Sequence, residues 1–288
     1  MRSLFVGKQK PGPLARVEAA TMFGLQPFLR ACAFGSFLWA VTGIFSAPAS
    51  GATIPDRGDF VAVYPEPKTS AHRAIAHAMK EAKVMDEFAA GLNETLALPC
   101  NVSIGFEELG QANAFYNPNK HSVRIGFELV EDLHALFSKT SKDPEVVLKR
   151  TINATIFVVS HELAHALIDV YDVPVVGKEE DAADSLSAIL LNDRRGDNNE
   201  VVLDGAQSFL LLAQRDETVL SQMALWDDHS LSKQRFYNIL SLVYGSNPTK
   251  YAYLVTRKVL PKARAASSRD EYRRATKAWG RLLAPYVK

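Results

Sequence analysis

The stretch FVVSHELAHALIDVYDVP, residues 157–174, decides how the rest of the chain is read. Within it stands His161-Glu162-Leu163-Ala164-His165. Residues four apart on a helix lie about 40° from each other around its axis, so both imidazoles face one way and can grip one ion. Glu162, next to the first imidazole, can then act as a base on water at that ion. Two histidines and a glutamate so spaced predict a zinc-binding helix. With seven histidines in the chain, chance supplies this pentapeptide in about one such sequence in a hundred. Its setting therefore has to carry the reading.

Upstream, Asp143 offers an N-cap and Pro144 a first helical position. The helix predicted from there runs on through TINATIFVVSHELAHALIDVYD, nearly solidly apolar between Ile152 and Val159. A helix apolar on all sides is a buried one, which puts His161 and His165 at the heart of the fold. Buried imidazoles need partners, and a metal is one way to supply them. Downstream, Asp172-Val173-Pro174 ends the helix and Gly177 marks a turn. KEEDAADSLSAILL (178–191) then reads as a second helix with Glu179, Glu180 and Asp181 in its first turn. Three protein ligands and an open position are what a catalytic zinc needs. Glu179, Glu180, Asp181 and Asp184 are the candidates for the third. Glu180 and Asp184 are four apart and share a face, so one can bind metal while the other holds a histidine through its second ring nitrogen.

Farther out, helices are expected at 199–215, 217–226, 231–244, 248–259 and 268–284. On the N-terminal side, apolar residues from Ile75 to Leu92 recur at three and four and predict one helix from Ala71 to about Leu98. His72 and His77 on it read as a solvated face. NVSIGFEEL (101–109) alternates like a strand, and residues 111–129 form a hairpin turning at Asn117-Pro118-Asn119-Lys120. Leu129, Leu133 and Leu136 mark a helix over 128–140. The fold class expected is α+β, with a mixed lobe over 71–150 and a helical lobe over 151–288 carrying the metal site. IPDRGDFVAVYPEPKTS, within 53–70, reads as a linker containing a short extended piece.

The first fifty-two residues look like an export signal. ACAFGSFLWAVTGIF (31–45) follows Arg30 and precedes the small residues APASGA (47–52), so cleavage is expected after Ala52. Met22 would give such a signal a more usual start. The expected location is the periplasm or the exterior, with an uncleaved N-terminal membrane anchor as the alternative. Cys32 falls inside the signal and leaves Cys100 alone in the remainder, so neither an internal disulfide nor a thiolate zinc site is expected. Hydrophobic residues make up 47% of the 288 and charged ones 23%, ordinary for a globular chain. The formal net charge of +1 gives no reason to expect nucleic acid or an anionic membrane as partner.

HELAHALIDVYD followed by EDAAD resembles the active site of the thermolysin-like zinc peptidases, the gluzincins. The longer pattern, with NAFYNP upstream and DDHSLSKQRFYNILSLVYG downstream, is similar to a family of bacterial exported proteins described as metallopeptidases; the likeness covers roughly residues 75–250. The resemblance implies a zincin-like fold, one Zn2+ ion and a peptide or protein substrate. It makes His161, His165 and Glu180 the ligands, Asp184 the support of His161, and Glu162 the general base. Asn113 and Ala114 would lie on an edge strand that pairs with extended substrate. His229, oriented by Asp227 or Asp228, would steady the oxyanion; alternatively it opens the helix beginning at Leu231. Arg235 is left between oxyanion stabilisation and a structural salt bridge. Where that family carries cysteines around the hairpin, this chain has residues such as Gly110 and Gly126. The alternative to an enzyme is a metal-binding scaffold of the cell envelope that no longer cleaves.

Overall fold

Asp143 caps the helix around which the structure is built. Its carboxylate accepts the Glu145 amide at 3.0 Å and its carbonyl the Val147 amide at 3.1 Å. In the computed structural model, which describes residues 54–192, 199–216 and 231–288, the helix so opened runs unbroken over Pro144–Val170. Its apolar stretch is long enough to cross a membrane by length and composition, but 89% of that window is buried within the protein. It is a core helix. It ends where Asp172 adopts φ 49° and the Val173 amide returns to the Ile168 carbonyl at 2.9 Å.

In chain order the elements are β1 (Phe60–Val63), α1 (Ser70–Glu81), α2 (Val84–Thr95), β2 (Val102–Glu107), β3 (Ala114–Asn117), β4 (Ser122–Gly126), α3 (Phe127–Ser138), α4 (Pro144–Val170), α5 (Glu179–Leu190), α6 (Glu200–Asp216), α7 (Ser232–Ser246), α8 (Ala252–Thr256) and α9 (Lys262–Leu283). The class is α+β, a small sheet on the N-terminal side and helices after it. The chain divides into two compact units and passes from one to the other within α3 and again within α4.

The first unit holds the described residues up to Asp132, with His165–Val173 and Ala284–Lys288. Its sheet has the order β1-β2-β4-β3: β1 and β4 lie parallel to β2, and β3 lies antiparallel to β4 at an edge. Val102, Ile104, Val123 and Ile125 point into the core with no exposed surface, as strand alternation requires. The extended piece expected in the 53–70 linker is β1 itself. It is a working strand of the sheet, with Phe60 buried and Asn93 bonded to both its amide (2.7 Å) and its carbonyl (3.0 Å).

The single helix expected from Ala71 to Leu98 is two. Lys83 takes a left-handed φ of 52° and separates them; periodicity across the break conceals it because Ala82, Val84 and Met85 are all buried. His72 is a second correction. It is buried, not solvated, with Nδ1 2.7 Å from Glu108 and Nε2 2.8 Å from Glu131, and its ring stacks on Phe127 at 5.0 Å.

The second unit holds Leu133–Ala164 and Pro174–Leu283. Asp204 of α6 accepts from Arg150 (2.9 Å) and Asn153 (2.8 Å) of α4, and Phe157 meets Phe209 edge to face. Gly205 lets α6 approach: a Cβ there would come within 2.4 Å of the Phe157 ring. Trp279 of α9 donates to Ser185 of α5 at 3.3 Å. Two boundaries differ from expectation. The helix expected at 248–259 is the five-residue α8, stopped near Lys258 at φ 59°, and α9 begins at Lys262 instead of 268 because Pro261 supplies its first carbonyl, to the Ala265 amide at 3.0 Å. The expected signal (1–52) and helix 217–226 lie outside the described residues.

Candidate metal centre

His161, Glu162 and His165 fall within five residues of α4, each less than a tenth exposed. After the connection at 171–178, α5 opens with Lys178 in extended conformation and brings Glu180 and Asp184 to the histidines. Their four-residue spacing lets these two carboxylates take the two nitrogens of one ring. Asp184 Oδ1 lies 3.0 Å from His161 Nδ1, and Glu180 Oε2 lies 3.2 Å from His161 Nε2. One ligand atom each from His161, His165 and Glu180 falls within 4.8 Å of the others. Glu179, next in sequence, is half-buried and Asp181 is exposed.

Two donors at tetrahedral zinc distances stand about 3.3 Å apart. The His161–Glu180 separation already matches that edge. The other ring nitrogen is engaged by Asp184, which fixes the tautomer and turns Nε2 toward Glu180 and His165. Charge tells the same story. Glu162, Glu180 and Asp184 are buried carboxylates, and Arg235 is the buried cation among these site residues. Buried carboxylates call for positive charge beside them, and a divalent ion at His161, His165 and Glu180 would add to it. The residues present fit the group.

Arg235 comes from α7 and is fully buried. Its Nε reaches Asp184 Oδ2 and its Nη2 reaches Oδ1, both at 2.7 Å, a bidentate fork. The guanidinium lies over the Phe209 ring at 4.0 Å. Burial alone would raise the Asp184 carboxyl, but Arg235 and the His161 hydrogen bond bring it down to about 2. Burial pulls the His161 imidazolium down, yet Asp184 and Glu180 outweigh it and its pKa lies above the ordinary 6.5. The two carboxylates thus create a demand for positive charge at that ring.

Asn113 and Ala114 are placed at the start of the edge strand β3. Asn113 is buried, with its carbonyl accepting the Gly126 amide at 2.9 Å, and Ala114 pairs with Ile125. His229, with Asp227 and Asp228, lies outside the described residues. Phe209 beneath Arg235 escaped the sequence reading, since the two sit on separate helices. It also missed a cluster in the first unit, where Tyr116 donates to Asp169 at 2.6 Å and lies 3.0 Å from His121 Nδ1. Asp169 follows His165 by four on α4, and that spacing was the available clue.

A helix carrying two histidines and a glutamate, with a carboxylate from the next helix closing a buried donor set, defines a metal-dependent hydrolase class of site. The family model DUF4344, described as "Putative metallopeptidase", matches residues 64–283, and the chain belongs to that family. Comparison with the curated proteins and with the solved structures returned no match.

Proposed function

We propose that the protein is a zinc peptidase of the gluzincin pattern, with His161, His165 and Glu180 holding one ion. The observation that carries this is the buried His161–His165–Glu180 group, with the far nitrogen of His161 taken by Asp184. Two imidazoles and one carboxylate are a donor set that suits zinc and leaves a position for water. Zinc held there supplies Lewis acidity, favouring attack of water on a peptide carbonyl.

The chain's own residues do the rest. Glu162 takes the proton of the attacking water and delivers it to the leaving nitrogen. Asp184 keeps the His161 ring in one orientation, and Arg235 keeps Asp184 ionised and in place. Arg235 thereby serves as support, not as a donor to the oxyanion. His229 is assigned to the oxyanion, and the Asn113–Ala114 strand to pairing with extended substrate, its place at a sheet edge being the supporting feature. A peptide or protein substrate met outside the cytoplasm goes with the apolar run at 31–45. Glu162→Gln should keep the metal and lose hydrolysis of a denatured protein substrate by at least about a hundredfold. Full activity in that variant sinks the assignment.

A further inference from the structure

The near-zero net charge of the chain conceals a local excess. Helix α9 carries Lys262, Arg269, Arg273, Arg274, Lys277 and Arg281, all exposed. At 100° per residue these six fall within an arc of about 140°, spread along about 28 Å of axis. Opposite them Ser268, Trp279 and Leu283 are buried against the helical unit. The basic arc is therefore the outward face, fixed in direction by the packing of the other. Asp270 also lies in the arc and pairs with Arg273 at 3.2 Å. Among the described residues, no carboxylate stands within ion-pair distance of the other five.

Six cations held together on a straight, exposed line repel one another, and an anionic partner relieves that repulsion. We infer that this face of α9 adsorbs to the anionic phospholipid surface of a bilayer. Three features favour lipid over other polyanions. The face carries no aromatic ring on which bases stack, since Trp279 points inward and donates to Ser185. Its remaining positions, such as Ala263, Ala266 and Ser267, are small, so the helix can lie flat against headgroups without inserting. The apolar run 31–45, read as an export signal or anchor, would bring the chain to a membrane. Adsorption of this kind is electrostatic and reversible by salt.

The test uses the full-length protein and sedimentation with vesicles of phosphatidylcholine alone or mixed with phosphatidylglycerol. Binding should need the anionic lipid, vanish in high salt, and weaken at least about tenfold in Arg269→Glu/Arg273→Glu/Lys277→Glu. The charge-preserving Arg269→Lys/Arg273→Lys/Arg274→Lys should bind as the parent does, because headgroups read charge and not the guanidinium fork. Metal content should be the same in all of them. Equal binding to both vesicle types overturns the inference, as does anionic binding that the charge reversal leaves unchanged. So does a preference for oligonucleotides over vesicles, or a salt-sensitive dimer that the reversal abolishes.

Discussion

Asp184 faces His161 with one oxygen and receives Arg235 on both, at 2.7 Å each. A carboxylate buried this deeply survives as an anion because the guanidinium is buried with it. Removing either member therefore has a different consequence. Asp184→Asn keeps the shape but weakens the hold on the ring, so metal affinity should fall about ten- to a hundredfold while the fold persists. Competition with a chromogenic chelator measures it, and an unchanged affinity would mean that His161 is oriented by something else. Arg235→Met leaves Asp184 buried without its cation and should cost about 3–5 kcal/mol of stability in urea denaturation. A loss under about 1 kcal/mol would show that water or another cation compensates.

His72 ties helix α1 to two distant parts of the first unit. His72 bridges Glu108, 36 residues on, and Glu131, 59 residues on, while Glu108 also accepts the amides of Lys68 and Thr69 at the helix entrance. Burial would lower the His72 pKa, but the two carboxylates raise it above 6.5. Its contribution is then full below 6.5 and lost as pH climbs through the folded value. Burial would raise Glu108, but the backbone amides and His72 bring it from 4.5 to about 2. That contribution is present above 4.5 and lost as pH falls through about 2. The fastening is complete between 4.5 and 6.5. The melting-temperature gap between the parent and His72→Gln should be widest in that window and narrow at higher pH. A gap that stays constant would mean the ring acts by packing on Phe127 alone. The same helix shows where sequence reading stops. His161 and His165 declare themselves because helical geometry joins them locally. His72 resembles any polar residue on a charged face, because its partners are on a loop and another helix. Arg235 is 51 residues from Asp184, so its role was open for the same reason.

At the scale of the molecule, the split between a small sheet and a run of helices was legible from periodicity: alternation over 101–127 and three-four spacing elsewhere. Breaks that depend on a single dihedral, as at Lys83 and Lys258, were not. The family match spans 64–283 and so takes in both the sheet and the metal-bearing helices. The proposal that three residues on two helices hold one divalent ion is tested by elemental analysis of the purified protein beside Glu180→Ala and Glu179→Ala. The parent and Glu179→Ala should each retain one equivalent of zinc, and Glu180→Ala should lose most of it. A metal-free parent, or a Glu180→Ala protein that keeps its full equivalent, would contradict the account.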